Sequence, residues 1–359
     1  MRDAVVLALV FFVLSSARSA EWHVNNRHPA CGDQNPGTIE QPFKTVGAAN
    51  AKIQPGDSVL IYSGTYRERV EIAVSGQDGK PIVFRAAEGH YPIVTGADEL
   101  LAWTAEDKKA GVYSAPWPHR FIDWSPTLTH PDDPYHRVIG RAENVWIDGY
   151  PLRQVLDAKQ LARGTFFADL DKKRLLVCAD HGGDISNRAV HCVEASVRAD
   201  IWVTKGSHVH VRGLTFRYAA NGAQNGAVKD LGAKNVYLDC VFEKSNGVGA
   251  AFTGNGTVVR RCVFHDHGQL GFAAVKAHNL TLTHCTIRRN NLKNYDRGWE
   301  AGANKLVLCR GVELAHSTFT DNYGNGVWFD IGNEDCSVHH CLIARNDGAG
   351  IFYEISHGL

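Results

Sequence analysis

Two acidic residues occupy equivalent positions in consecutive repeats near the end of the chain. The segment G-N-G-V-W-F-D-I, residues 324–331, is echoed 24 residues later by G-A-G-I-F-Y-E-I, residues 348–355. Asp330 thereby aligns with Glu354, and each acid follows an aromatic residue by two places, Trp328 and Phe352. If the two segments are neighbouring strands of a parallel sheet, the acids are roughly 4.7–4.9 Å apart.

Carboxyl groups at this spacing match the chemistry of retaining glycoside hydrolysis. Retaining enzymes place a nucleophile and an acid/base about 5–5.5 Å apart, whereas inverting enzymes need roughly 6.5–9.5 Å. Mutual repulsion would raise the pKa of one acid and keep it protonated for the leaving group. We therefore predict that Asp330 and Glu354 are catalytic. The alternative is two unrelated acids on a soluble surface.

Strand alternation predicts which way the neighbouring side chains point. It places Val327, Phe329 and Ile331 in the core and turns Trp328 and Asp330 outward. An exposed Trp328, together with Phe352 in the next repeat, could stack on a sugar ring. Like charges opposite each other destabilise a sheet, so a purely structural role gives little reason for the acid pair.

Composition limits the classes of partner. The chain has 359 residues, of which 44% are hydrophobic, and its 38 basic residues balance 38 acidic ones. Balanced charge predicts neither a nucleic acid nor an anionic membrane as partner. The 35 glycines and single methionine favour a turn-rich β architecture over a helical bundle. Nothing in the composition indicates an oligomeric state.

The N-terminus has the pattern of an export signal. Residues 4–14 form an apolar run behind Arg2 that is too short for a bilayer span of about 20 residues. Small residues follow at Ala17, Ser19 and Ala20, as a cleaved signal requires. We predict a signal peptide at residues 1–19, a secreted or periplasmic protein, and no membrane span after signal removal.

Repeats dominate the second half of the chain. One apolar position recurs at intervals of 22 to 32 residues, at Phe216, Phe242, Phe264, Ile287, Phe319 and Ile343. Units of this length, built from short strands and turns, predict the stacked coils of a β-solenoid. The longest interval indicates an insertion of about nine residues across 291–303, which is expected to line the binding face.

Polar and cysteine positions repeat in phase with the apolar one. Three places after the apolar position, three repeats carry an asparagine: Asn290, Asn322 and Asn346. These asparagines could form a hydrogen-bonded ladder along the solenoid, with His267 and Ser245 in related positions of earlier repeats. Four cysteines share the parity of the core, which predicts buried thiols rather than disulfides: Cys240, Cys262, Cys285 and Cys341.

The fold predicted from these patterns is all-β, a right-handed parallel β-helix. Residues 20–100 would form the first coils, with a short helix at Val46–Ile53 as N-terminal cap. Residues 101–205 would form an inserted β-rich module, and residues 206–359 the main solenoid. The sequence reaches Leu359 without a polar cap, so we expect further coils beyond it.

The pair of repeats also resembles a known family. G-V-W-F-D-I followed by G-I-F-Y-E-I-S-H-G, within residues 324–358, resembles the catalytic region of glycoside hydrolase family 120, the β-helix β-xylosidases. The resemblance implies that Asp330 is the nucleophile and Glu354 the acid/base. G-W-E-A-G-A-N-K at 298–305 resembles a second family segment, which implies that Trp299, Glu300 and Lys305 bind substrate near the acids.

The start of the chain carries a broader resemblance. P-G-T-I-E-Q-P-F-K-T-V at 36–46 and P-G-D-S-V-L-I-Y-S-G-T-Y-R-E at 55–68 are similar to the opening of many pectate-lyase-like β-helices. This likeness implies the fold more than the activity. The combined expectation is a secreted carbohydrate-active enzyme, a retaining hydrolase of a plant-type glycan, with an oligo- or polysaccharide as substrate.

Two other functions stay open. A polysaccharide lyase or uronate epimerase would need a base and a cation such as Ca²⁺ to neutralise the uronate carboxylate. Such a site could be assembled from the basic residues Lys276, Lys305 and Arg345 and the acidic group Asp330, Glu334 and Asp335. No column of basic residues is predicted beside the acids, so this alternative ranks second. A non-catalytic glycan-binding surface protein is the third.

No cofactor is predicted for the hydrolase, and Ca²⁺ is considered only for the lyase. No cysteine spacing typical of zinc sites occurs. His284, His316 and His340 share one outward position on successive coils, where no carboxylate occupies the same position on the coils beside them. We predict an ordinary polar surface there.

Overall fold

The computed structural model describes residues 19–122, 136–179 and 184–359, so the predicted signal peptide lies almost entirely outside the described residues. Its helices are short: α1 (Val46–Asn50), α2 (His136–Ile139) and a 3₁₀ helix at Ala158–Gln160. Within the described ranges, no helix has the length and apolar character needed to cross a membrane.

The first strands form the opening coils and the inserted module. In chain order they are β1 (Glu21–Val24), β2 (Ser58–Ile61), β3 (Thr65–Tyr66), β4 (Val70–Ile72), β5 (Ile82–Ala86), β6 (Ile93–Thr95), β7 (Ala97–Glu99), β8 (Thr104–Asp107), β9 (Val112–Pro116), β10 (Val145–Ile147), β11 (Tyr150–Pro151), β12 (Arg153–Val155), β13 (Thr165–Asp169), β14 (Arg174–Cys178) and β15 (Val193–Ser196).

The remaining strands form the main solenoid. They are β16 (Trp202–Thr204), β17 (Val209–Arg212), β18 (Thr215–Arg217), β19 (Gly226–Asp230), β20 (Val236–Leu238), β21 (Val241–Glu243), β22 (Val248–Phe252), β23 (Val258–Arg260), β24 (Val263–His265), β25 (Leu270–Val275), β26 (Thr281–Thr283), β27 (Thr286–Arg288), β28 (Gly302–Val307), β29 (Glu313–Ala315), β30 (Thr318–Thr320), β31 (Val327–Phe329), β32 (Ser337–His339), β33 (Leu342–Ala344) and β34 (Ile351–Tyr353).

Three parallel sheets wrap one core, as predicted. Sheet A has the order β1-β2-β5-β17-β20-β23-β26-β29-β32, sheet B the order β3-β6-β18-β21-β24-β27-β30-β33, and sheet C the order β4-β16-β19-β22-β25-β28-β31-β34. From β2 onward each coil contributes one strand to each sheet, so each strand inside a sheet pairs with the strands one coil before and one coil after. The right-handed parallel β-helix is thereby confirmed.

The repeated apolar position forms a continuous column inside sheet B. Successive members are register partners, from Phe216 with Phe242 to Phe319 with Ile343. The rings of Phe242 and Phe264 stack in parallel with centroids 4.4 Å apart. The four strands β18, β21, β24 and β27 are each three residues long with a buried centre and half-buried flanks, which is the period-two pattern of a strand with one buried face.

The polar ladder predicted from the asparagines is also present. The Asn290 side-chain amide donates to Asn322 Oδ1 at 2.9 Å, and Asn322 donates to Asn346 Oδ1 at 2.8 Å. His267 continues the ladder, because its backbone N–H donates to Asn290 Oδ1 and its Nδ1 accepts from the backbone N–H of Ser245. These bonds satisfy buried polar groups at the end of sheet B.

The repeat cysteines are thiols that pack as small apolar groups. Cys240, Cys262 and Cys285 are buried, and Cys341 in the last coil is half-buried. None of these four forms a disulfide. The predicted thiol ladder is therefore confirmed.

The N-terminal helix is shorter than its sequence pattern indicated. It ends at Asn50 instead of Ile53, and Thr45 caps its N-terminus by accepting from the backbone N–H of Ala48. Val46, Ala49 and Ile53 are nevertheless all buried in the solenoid core. The Glu68 carboxylate accepts from the backbone N–H groups of the first helical turn, at 2.8 Å from each nitrogen, and so fixes the helix on the first coil.

The inserted module has two sheets and its own apolar core. One sheet has the order β11-β10-β15-β7 and the other β12-β13-β14-β9-β8. Strands β13 and β14 form an antiparallel hairpin, with Thr165 opposite Cys178. The solenoid resumes at β16, where Trp202 pairs with Val70 of the first coils and is fully buried.

Candidate active site

Sheet C places the two predicted catalytic acids on adjacent coils. Strand β31 pairs with β34 in the register Val327 to Ile351 and Phe329 to Tyr353. The ladder continues one residue further, because the Glu354 N–H donates to the Phe329 carbonyl at 2.8 Å. Asp330 and Glu354 are therefore adjacent in register just beyond the two strands, whose backbones are expected to lie about 4.8 Å apart.

The strands end just before the acids, and this corrects one prediction. Strand β31 ends at Phe329, and Ile331 lies in the following turn with 47% of its surface exposed. Its counterpart Ile355 has a positive φ of 43° and is 70% exposed. The alternation that predicted an inward Ile331 was wrong because the extended backbone does not continue that far.

A lysine from the preceding coil binds the first acid. Lys305 lies on β28, and its Nζ is 2.9 Å from Asp330 Oδ2 and 3.1 Å from Glu300 Oε1. The same ammonium donates to the Trp299 carbonyl at 3.0 Å. Between 11% and 13% of each of the three charged side chains is exposed. One cation thus holds two largely buried carboxylates in place.

The long coil insertion delivers Glu300 to this cluster. Residues 291–301 leave sheet B after β27 and return to sheet C at β28. Asn291 closes the first turn, donating to the Tyr295 carbonyl and accepting from its N–H. Tyr295 packs on the Trp299 ring at 6.0 Å and donates from its hydroxyl to the Ile139 carbonyl. The loop is therefore held against the region of α2, with Trp299 half-buried on it.

Burial and charge set the protonation of the cluster. Burial raises the pKa of Glu300, opposed by the charge and hydrogen bond of Lys305 and by a hydrogen bond from Gln224, while the charge of Asp330 adds to the rise. For Lys305 burial is the largest single effect and favours the neutral amine. The charges and hydrogen bonds of Glu300 and Asp330 together outweigh it, so its pKa is raised. Lys305 is thus held as an ammonium ion.

Trp328 does not present a free face for sugar stacking, contrary to the sequence prediction. It does point away from the solenoid core, yet only 1% of its surface is exposed. Lys305 Nζ lies 4.4 Å from the ring centroid, and the Phe352 ring is 5.3 Å away at 47°. Its indole N–H donates to Glu354 Oε2 at 3.3 Å. Trp328 is therefore a buried residue that packs beneath Lys305, and its indole N–H orients Glu354.

The backbone that follows both acids is fixed by a residue the sequence reasoning missed. The Ser356 hydroxyl lies between the carbonyl oxygens of Asp330 and Glu354, 2.9 Å from the latter. It also accepts from the backbone and side-chain N–H groups of Asn333. The S-H-G that ends the second repeat was the only signal of this contact. Gln224, which bonds Glu300, lies 76 residues upstream of it and had no sequence signal.

The other acids considered for a cation have different partners. Glu334 forms an ion pair with Arg310, and both side chains are well exposed. Asp335 lies in a turn with a φ of 52°. Asp330 is bound by Lys305. The three acids thus have separate environments in the described structure.

A large cavity lies elsewhere. It has a volume of about 1000 Å³ and is bounded by the inserted module and the beginning of the 291–301 loop, with Ile139, Leu152, Phe166 and Leu292 in its lining. None of the seven predicted site residues contributes to this lining. The cavity is therefore separate from the carboxylate cluster.

Sequence comparisons cover part of the chain. A family model described as "Right handed beta helix region" matches residues 199–359. The protein YwoF of Bacillus subtilis (strain 168) is 37% identical over 93 residues, which are 26% of this chain and 20% of YwoF. The matched segment is thus a minor part of that relative.

Structural comparison extends the likeness over nearly the whole chain. The complex of XylC with xylose matches with a TM-score of 0.76 and 17% identity, covering 94% of this chain and 64% of the XylC chain. A protein described as a glycoside hydrolase matches with a TM-score of 0.63 and 12% identity, covering 94% of this chain and 97% of its own. The shared fold is a right-handed parallel β-helix. At these identities the likeness concerns the fold.

Proposed function

We propose that this protein is a secreted retaining glycoside hydrolase of the β-xylosidase-like type, acting on a plant-type glycan. The observation that carries the proposal is the adjacency of Asp330 and Glu354 on neighbouring coils of sheet C. Retaining hydrolysis needs two carboxyl groups about 5–5.5 Å apart, a separation that side chains on neighbouring coils can reach. The fold shared with XylC, whose structure contains xylose, and with a protein described as a glycoside hydrolase supports the assignment.

The environments of the two acids suggest their roles. Lys305 balances the negative charge of Asp330 at 2.9 Å, which suits a carboxylate that attacks the anomeric carbon. Glu354 forms no ion pair within the described residues, and its Oε2 accepts from the Trp328 indole. Glu354, the acid without an ammonium partner among the described residues, is therefore assigned the role of general acid/base.

The reaction then follows in two steps. Asp330 forms a bond to the anomeric carbon while the glycosidic C–O bond breaks and Glu354 protonates the departing oxygen. Water next attacks the anomeric carbon, its proton passes to Glu354, and the ester bond to Asp330 breaks. The second step restores both carboxyl groups and retains the anomeric configuration.

The remaining predicted residues have supporting roles in this proposal. Glu300 and Asp330 share Lys305, so Glu300 holds the ammonium at the nucleophile. Trp299 and Phe352 are half-buried and leave ring surface for a sugar. Trp328 supports Lys305 and Glu354 from below instead of contacting substrate.

A lyase or epimerase has less support. Such an enzyme needs an unprotonated base to remove the proton next to the uronate carboxylate. Lys305 does lie beside Asp330, yet the charges and hydrogen bonds of Glu300 and Asp330 raise its pKa and keep it charged. A charged ammonium cannot accept that proton, so Lys305 is unsuited to act as the base of a lyase or epimerase.

The test is a substrate screen with matched variants. Wild-type protein is incubated with aryl glycosides and with uronate polymers, and Asp330→Asn is compared with Glu334→Gln, an acid of the next turn outside the cluster. The proposal expects aryl glycoside hydrolysis with net retention, lost in Asp330→Asn and kept in Glu334→Gln. Products absorbing as unsaturated uronates would establish a lyase instead. Glycan binding without turnover would establish a non-catalytic protein.

A further inference from the structure

Four histidines form a cluster on the outer surface at the junction of sheets A and B. His284, His316 and His340 occupy the turn between the two sheets on successive coils, each with a positive φ of 49–57°. Their rings stack, with centroids 5.1 Å apart for the first pair and 4.9 Å for the second. His339 ends β32 and meets both His316 and His340 edge-on.

Three of these histidines converge on one point. One ring nitrogen from each of His316, His339 and His340 lies within 4.8 Å of the other two. Zinc bound at about 2.0–2.1 Å in a tetrahedron separates its nitrogen ligands by roughly 3.4 Å. Exposed rings can close that difference by side-chain rotation, with no change in the backbone of the solenoid.

The hydrogen bonds within the cluster already orient the ligand atoms. The Nδ1 atoms of His339 and His340 are 2.8 Å apart, so one must donate a proton to the lone pair of the other. On its far side His339 Nε2 is 3.1 Å from Glu313 Oε1. A carboxylate that accepts from one imidazole nitrogen leaves the other nitrogen as a lone-pair donor, the usual arrangement behind a metal-binding histidine.

We propose that His316, His339 and His340 bind a divalent transition-metal ion such as Zn²⁺, with Glu313 orienting His339. The ion takes the place of the proton shared by His339 and His340 and adds His316 from the preceding coil. Three imidazoles suit zinc, copper, nickel or cobalt better than calcium or magnesium. Glu313 lies on strand β29 and not at the turn position that the stacked histidines share. A comparison of the turn positions alone therefore predicted only an ordinary polar surface.

The site would join two coils. His316 belongs to the turn after β29, whereas His339 and His340 belong to the next coil, so a bound ion cross-links them. An ion that binds the folded chain more tightly than the unfolded chain raises the stability of the folded state. The proposed role is therefore a clamp on the last coils of sheets A and B, independent of the carboxylate site.

The experiment is zinc titration of the untagged chain by calorimetry, with Co²⁺ absorption as a second readout of tetrahedral nitrogen ligation. The variants His316→Asn and His340→Asn keep a residue that tolerates positive φ. Each is expected to weaken zinc binding by at least about tenfold, and Glu313→Gln by about 10- to 100-fold. Zinc should raise the melting temperature of the wild type and leave that of His316→Asn unchanged.

His284→Asn is the matched control, since it has the same turn, backbone conformation and substitution but lies outside the trio. It is expected to bind zinc as the wild type does. The proposal is overturned if the wild type binds no zinc beyond that taken up by a His316→Asn, His339→Ala, His340→Asn triple variant. Equal loss in His284→Asn would also refute the assigned ligands. Circular dichroism of each metal-free variant separates ligand loss from misfolding.

Discussion

Lys305 connects the residues around which the proposed chemistry is arranged. It contacts Asp330 and Glu300 through its ammonium and lies over the Trp328 ring, whose indole binds Glu354. The two proposed catalytic acids are thus linked through one lysine and one tryptophan. Substitution of Lys305 should therefore disturb the positions of Asp330 and Glu354, even though neither acid is itself replaced.

Removing the Lys305 charge should destabilise the fold strongly. Lys305→Met leaves two largely buried carboxylates without their cation, and loss of one partner of a buried ion pair costs about 3–5 kcal/mol. Chemical denaturation measures the change in unfolding free energy. Glu300→Gln combined with Lys305→Met should recover part of the loss, because one of the two carboxylates is then uncharged.

Arg310→Met supplies the comparison for this prediction. Arg310 pairs with Glu334 on the same part of the solenoid, but both side chains are exposed. Exposed pairs contribute about 0–1 kcal/mol. Equal losses in Lys305→Met and Arg310→Met would show that Lys305 does not hold buried charge.

Glu354→Gln should slow hydrolysis according to the leaving group. A general acid contributes about 10²–10⁴-fold to a rate, and its help is needed most when the departing oxygen is a poor leaving group. We expect that loss for an alkyl or sugar leaving group and a much smaller loss for dinitrophenyl glycosides. Steady-state kinetics on a series of aryl glycosides measures this dependence. A uniform loss across the series would remove Glu354 from the role of acid.

At the scale of single elements, the ladder at the end of sheet B contains one residue that titrates. His267 is fully buried, and its Nε2 has no hydrogen-bond partner among the described residues. Burial, with the charge of His265 adding to it, lowers the pKa of His267 to about 3. The unfolded chain therefore binds a proton below about pH 6.5 that the folded chain does not bind until about pH 3.

This difference predicts an acid-dependent loss of stability. Since the unfolded state binds more protons in that window, the unfolding free energy should fall as the pH decreases from about 6.5 toward 3. His267→Asn introduces the residue found at positions 290, 322 and 346 of the ladder. This variant should lack the part of the pH dependence that comes from His267. Unfolding measured at several pH values gives both slopes. Parallel slopes for wild type and variant would contradict the assignment of a buried neutral His267.

The same elements show which features sequence patterns can predict. The aromatic column, the asparagine ladder and the adjacency of Asp330 and Glu354 all follow from a repeat whose register is set by an apolar face. The meeting of Glu300 with Lys305 depends on how the 291–301 loop packs near Ile139, which no periodic pattern encodes. The burial of Trp328 was missed for a related reason, because Lys305 reaches over it from the preceding coil.

At the scale of the whole molecule, stability depends on contacts between neighbouring coils. Phe264 stacks on Phe242 at 4.4 Å and packs near Phe272 at 5.7 Å, in the middle of the core. Phe264→Ala should lower the unfolding free energy by about 3–5 kcal/mol. Denaturant unfolding measures the change, and an unchanged unfolding free energy would argue against a core shared between neighbouring coils.

The inserted module gives this solenoid an unusual folding problem. Most coils pair with a segment about 24 residues away, as Asn322 does with Asn346. Across the module the pairing distance is far longer, since Arg69 bonds Asp200 at a separation of 131 residues. Closing the longer loop costs about 1.5 kcal/mol more in chain entropy. A module that folds first would bring its two ends together and shorten that loop, so the order of folding could decide whether the first coils join the rest.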